Sequence, residues 1–198
     1  QLDPSTARHA AVLMLFGALD DVPSDYRDSV VPRDLDLLFL QRASTLSKHP
    51  GQVAFPGGKV DDTDASPVAA ALREAVEETG LDASGVDVLC TLPLTPLPVS
   101  NFLVTPVLGW WAEPSDVFVV DDGESSRVFR APVADLVDPA KRYTARLTRG
   151  DMVHKSPAFE VCGSLIWGFT GFLVDRLLKD LGWSQEWDQE RYVTPPVS

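Results

Sequence analysis

Cysteine is scarce: the chain has two, Cys90 and Cys162, too few and too far apart for a disulfide framework or a metal-spaced thiol cluster. Histidine is as rare, and His9, His49 and His154 are scattered, which argues against a zinc-type site. No long apolar run is present. The longest, Ala10 to Leu19, falls far short of the roughly 18–20 residues that a membrane span needs. A basic stretch followed by a short apolar core, the mark of a secretory leader, is also missing, and the expected compartment is the cytoplasm. Basic residues are in deficit, 17 Lys plus Arg against 29 Asp plus Glu, for a net charge of −12. A broad nucleic-acid surface is thereby disfavoured, but an anionic substrate is not, because divalent cations can bridge carboxylates and phosphates. What is present is ample apolar material: 44% hydrophobic residues over 198 positions bury a core without disulfide or metal.

Strands are expected at 10–18, 36–41, 52–55, 86–91 and 102–111, with a further strand, an acidic loop and a second apolar stretch within 115–129. An acidic, proline-bearing loop fills Asp20 to Asp34, and Pro56-Gly57-Gly58 reads as the end of a ladder. A helix is predicted from Pro67 to Thr79, with Ser66 as N-cap, Pro67 in first place and Gly80 as left-handed stop. A short helix is expected at 132–137 and a long one from Gly163 to Leu181, its stripe formed by Leu165, Phe169, Phe172, Leu173, Leu177 and Leu181. The pattern is a mixed sheet covered by helices, one domain over 1–182, followed by a loose, proline- and charge-rich tail at 183–198.

The chemistry concentrates in residues 55–81. On a helix from Pro67, Glu74, Glu77 and Glu78 share one side, while Val68, Leu72, Ala75 and Thr79 take another and pack on the sheet. Three crowded carboxylates repel one another, and a hard cation with oxygen ligands relieves that repulsion. Arg73 is placed to pin one of them by a fork-type pair. The glycines before the helix let the backbone approach a metal or phosphate closely. The competing reading is a solvated acidic face with a surface ion pair.

The segment Arg73-Glu74-Ala75-Val76-Glu77-Glu78-Thr79-Gly80-Leu81 resembles the second half of the signature box of the Nudix hydrolases. In the first half, Asp64 stands where that box has Glu, and one extra residue separates it from Arg73. Upstream, Arg42, Ala43, Gly51 and Phe55 to Gly58 fit the register of the motif of the coenzyme A pyrophosphatase branch, with Leu40 in place of Thr and Ser47 in place of Arg. Segments 156–160 and 165–170 are similar to the same branch.

The resemblance implies an α/β fold (α+β in some schemes), an α/β/α sandwich with a mixed sheet. It implies a metal-dependent hydrolase that cleaves coenzyme A or its derivatives to 3′,5′-ADP and 4′-phosphopantetheine. Mg²⁺ or Mn²⁺ would be held by Glu74, Glu78, Glu77 and the Gly57 carbonyl, with Arg73 completing the catalytic group. Substrate contacts would come from Arg42, Lys48, Gly51, Phe55 and Gly58, and the general base from Glu77, Glu124 or Glu160. Two alternatives stay open: a Nudix pyrophosphatase of ADP-ribose, dinucleotides or modified nucleotides, and an inactive ligand-binding module. The expected partner is a small nucleoside diphosphate, with no nucleic acid and no membrane, and the chain a monomer or homodimer.

Overall fold

The computed structural model describes residues 2, 6–19, 34–46, 49–150 and 152–196. Lys48 and nearly all of the Asp20 to Asp34 loop lie outside them. The elements are β1 (Arg8–Ala18), β2 (Leu35–Arg42), β3 (Val53–Ala54), β4 (Gly57–Lys59), α1 (Pro67–Thr79), β5 (Val86–Thr91), β6 (Thr95–Leu97) and β7 (Phe102–Trp111). They continue with β8 (Ser125–Pro132), α2 (Val133–Val137), β9 (Arg142–Arg149), β10 (Met152–Val161), β11 (Ser164–Ile166), α3 (Gly168–Asp180) and β12 (Tyr192–Val193).

An eight-stranded sheet runs β3-β2-β1-β7-β5, with β4 on β1, β6 on β7 and β8 on β2. β1 and β7 are parallel, and the other pairs are antiparallel, so the sheet is mixed. β1 is its spine and is covered on both sides, as its nearly unbroken apolar sequence requires. The period of two divides its side chains. Ala11, Leu13 and Leu15 join Ala70, Ala71 and Ala75 of α1, while Met14 and Phe16 join α2, α3 and the second sheet. That second sheet is β11-β10-β9-β12. The architecture is mixed α+β, with helices on both faces of the large sheet.

α1 forms where its local chemistry puts it. The Ser66 hydroxyl accepts the Ala69 N–H at 3.2 Å, Pro67 opens the helix, and Gly80 closes it at φ 70°, its N–H donating to the Val76 carbonyl at 2.9 Å. The buried face is Ala70, Ala71, Ala75 and Thr79, with Val68 and Leu72 packed at its margin. Small residues at the centre seat the helix close to β1.

Several expectations are corrected. The long helix starts at Gly168, not Gly163, because Cys162 (φ 51°) and Gly163 (φ 72°) make a two-residue hairpin turn that sends Ser164–Ile166 back along β10. Leu165 is therefore a strand residue, and Phe172 and Leu181 of the expected stripe are exposed. No strand forms at 115–120. Gly57 to Lys59 do not end a ladder; they pair antiparallel with Ala10–Val12. The segment from Trp183 is fastened, not loose: Trp183 meets Phe16 edge-on, and Tyr192–Val193 run parallel to β9.

Candidate active site

The site begins with backbone wedged between β1 and α1. At Gly57 (φ 155°) a Cβ would sit 2.3 Å from the Ala11 carbonyl oxygen and 2.6 Å from the Val12 Cα, so only glycine brings β4 this close. The Gly57 N–H donates to Glu78 Oε2 at 2.9 Å. At Gly58 a Cβ would lie 2.5 Å from the Glu74 carboxylate. The paired glycines thus put main chain directly against two helix acids.

Arg73 organises the rest. Its Nε and Nη2 donate to the two oxygens of Asp64 at 3.0 and 2.9 Å, a fork that ties the loop before α1 to the helix. Its Nη1 donates to Glu74 Oε1 and Glu77 Oε2, both at 3.0 Å, and Nη2 also reaches the Lys59 carbonyl at 3.2 Å. The Asp64 side chain is 5% exposed and accepts the Asp61 N–H at 2.8 Å. Hydrogen bonding to Arg73 is the main reason its carboxyl stays below its ordinary range; the Asp61 N–H adds to this. Both Asp64 oxygens are committed to holding the loop. This pairing is not legible from spacing alone, since the extra residue before Arg73 hides it.

The acids differ in setting. Burial raises Glu74 above the ordinary carboxylate range, opposed by the Arg73 hydrogen bond and reinforced by Glu77 and Asp61. Burial likewise pushes Glu78 up to about 7; the Gly57 N–H and Arg42 resist the shift, and the charges of Glu74 and Glu124 add to it. Glu77 stands at the rim, 57% exposed. Among the described residues, no three His, Cys, Asp or Glu side chains form a ready-made cage. The donor set nevertheless fits a hard divalent cation: oxygen ligands alone, partly desolvated and mutually repelling, with no cation but Arg73 hydrogen-bonded among them.

Arg42, at the end of β2, acts electrostatically on Glu78, and its buried Nε has no hydrogen-bond partner. The charge of Glu124 also acts on Glu78, and its carbonyl accepts the Ala43 N–H at 2.9 Å. Gly51 (φ 67°) shapes the turn before β3, and its carbonyl accepts from Gln41 Nε2 at 3.1 Å. Gln41 in turn accepts from Ser164 Oγ at 3.2 Å, a bridge the sequence did not signal. Two candidates stand elsewhere than at the acids. Phe55 is a core residue, 3% exposed and stacked on Phe39 at 4.7 Å, so its ring is not available to a substrate. Glu160 lies on β10 in the second sheet with its carboxylate against the Tyr143 hydroxyl, and is not among the groups acting on Glu78.

The NUDIX domain family matches residues 26–149 of this chain. A Cronobacter sakazakii protein described as uncharacterized Nudix hydrolase NudL is 40% identical over 147 residues, 74% of this chain and 75% of the relative. The protein so described from Escherichia coli K12 is 39% identical over the same shares. Among solved structures, a Nudix hydrolase from M. smegmatis, RenU, superposes with a TM-score of 0.58 at 18% identity, over 92% of this chain and 91% of that one. A MutT/nudix family protein from Enterococcus faecalis gives 0.51 at 15% identity, over 92% and 63%. These two likenesses concern the fold.

Proposed function

The chain belongs to the Nudix hydrolases, enzymes that cleave pyrophosphate bonds and generally use divalent metal ions, and from that premise we propose that it hydrolyses coenzyme A or a derivative in the cytoplasm. The products are 3′,5′-ADP and 4′-phosphopantetheine, and the ion is Mg²⁺ or Mn²⁺. One observation carries the reading: the stretch similar to the coenzyme A motif ends on the acids, the Gly57 N–H donating to Glu78, whose carboxyl also feels the charge of Arg42 at the other end of that stretch.

Glu74 and Glu78, with the Gly57 carbonyl, would hold the cation, and Glu77 would complete the set from the rim. Held there, the cation would supply polarisation of the phosphoryl oxygens and acidification of the attacking water. The chain's own residues do the rest. Arg73 fixes the rotamers of Glu74 and Glu77, so that little reorganisation accompanies charge development. Arg42 grips a substrate phosphate through its terminal guanidinium nitrogens, helped by Lys48. Glu124 accepts the proton of the attacking water. Water oxygen bonds to one phosphorus, the bridging P–O bond breaks, and the bridging oxygen leaves on the other phosphate.

A side-by-side assay of coenzyme A, ADP-ribose and a dinucleotide with Mg²⁺ or Mn²⁺ tests this. Coenzyme A is expected to give the highest kcat/KM by about tenfold or more, a margin of ~1.4 kcal/mol in transition-state binding. Preference for either other substrate overturns the assignment, and no hydrolysis of any of them identifies a binding module.

A further inference from the structure

Residues 112–124, between β7 and β8, have no regular structure but are tied at both ends to the acid site. At the first end, the Phe118 N–H donates to the carbonyl of Thr79, the last residue of α1, at 2.9 Å. The Asp82 N–H donates to Ser115 Oγ at 3.0 Å. The Phe118 ring lies over Gly80, where an added Cβ would come within 2.6 Å of it. At the far end Asp121 turns the chain: its Oδ1 accepts the Gly123 N–H at 2.7 Å and its carbonyl the N–H groups of Glu124 and Ser125 at 3.0 and 2.9 Å. The Glu124 carbonyl then accepts the Ala43 N–H, beside Arg42.

The Phe118 side chain serves little as core. The residue is 56% exposed, so apolar burial explains only a small part of its placement. What the ring supplies is a contact of fixed geometry at the one point where α1 turns left-handed and leaves room for it. We propose that Phe118 is a positioning residue: seated on Gly80, it fixes how the 112–124 strap leaves the end of α1, and so where Glu124 stands relative to Glu78 and Arg42. Its effect on turnover rests on the diphosphate-hydrolase reading above; its effect on the strap rests on geometry alone.

Two readouts on the full chain separate these. In Phe118→Ala, amide exchange at Ala43 and Glu124 accelerates about tenfold while the β1–β7 ladder keeps its protection, as a local opening requires. In the substrate assay, Phe118→Ala lowers kcat about tenfold with KM changed by less than about twofold, the cost of misplacing a reacting group by a fraction of an ångström. Phe118→Tyr keeps native kcat, since the added hydroxyl can reach water, and Phe172→Ala, which removes another exposed ring, from α3, changes neither readout. Added to Glu124→Gln, Phe118→Ala costs nothing further. Unchanged exchange at Ala43 overturns the proposal whether or not the wild type hydrolyses any diphosphate. A tenfold loss that persists in the Glu124→Gln background also overturns it. A wild type without hydrolysis sinks the coenzyme A reading and leaves the exchange result to decide the strap.

Discussion

Two of the regions that bury charge in this molecule do so in opposite ways. Under the C-terminal segment, Arg142 is fully buried between the rings of Phe159 and Trp187, each 4.7 Å from its guanidinium, and pairs with Asp175. Asp175 also takes Lys179 at 2.7 Å. Burial lowers the Arg142 pKa and Asp175 opposes the shift. A neighbouring cavity of about 650 Å³ is lined by Thr144, Lys155, Ser156 and Trp187 among others; Thr144 and Lys155 fasten the tail through the Gln189 carbonyl and the Tyr192 hydroxyl, and Ser156 accepts the Gly168 N–H at the start of α3. At α1 the balance is different: Glu74 and Glu78 are partly desolvated beside one another, the charge of Glu124 adds to theirs, and Arg73 is shared among Asp64, Glu74 and Glu77, with no bond to Glu78. Buried charge that comes matched holds the fold together. Partly buried like charge with fewer positive partners than acids is, in the reading proposed above, where a cation would sit.

The sharpest way to break that contrast is to unmatch the first region. Asp175→Ala leaves Arg142 buried without its partner and is expected to cost about 3–5 kcal/mol in urea unfolding, with turnover per folded molecule unchanged. Glu78→Gln should do the reverse, lowering kcat by roughly 10²-fold or more while unfolding stays near native. Stability unaffected by the first, or turnover unaffected by the second, would erase the distinction.

The pH dependence sharpens it. Glu78 in the native state holds its proton to about pH 7, whereas the unfolded carboxyl releases it near 4.5. Between those values the native state binds more protons, so stability falls as pH rises, by an amount of order 3 kcal/mol. Unfolding curves with chelator present should show this decline, and Glu78→Gln should flatten it. A smaller effect is expected of Arg73→Lys, which keeps the charge but cannot fork onto Asp64 while reaching Glu74 and Glu77. It should lower kcat about tenfold, as loosened positioning does.

How much of this could be read from the sequence depended on the range of the interaction concerned. α1 was legible to its last residue, because Ser66, Pro67 and Gly80 act on backbone within a turn of themselves. β5 and β7 were equally clear from their apolar runs. The start of α3 was not: Leu165 sits at helical spacing, and only the turn at Cys162-Gly163 assigns it to a strand. β9 and β10 escaped notice because half of β10 is exposed and its pattern is polar. At the site, Glu74, Glu77 and Glu78 could be placed on one side of α1 by counting, but Asp64 on Arg73, Phe118 on Gly80 and Glu160 on Tyr143 are matters of tertiary reach. For Phe55 the motif position offered a substrate contact and the apolar ring a core place, and the Phe39 ring beneath it, which no spacing reveals, puts it in the core.

Mn²⁺ binding at pH 7.5 to the wild type and to Glu78→Gln tests the central contrast most directly, read as the thermal midpoint with and without the ion. The wild type should gain several degrees in Tm, in line with roughly 2–3 kcal/mol from an ion at ~100 times its Kd, and the variant should gain almost nothing. Equal gains in both proteins, or none in either, would show that the buried acids of α1 are not where the cation goes.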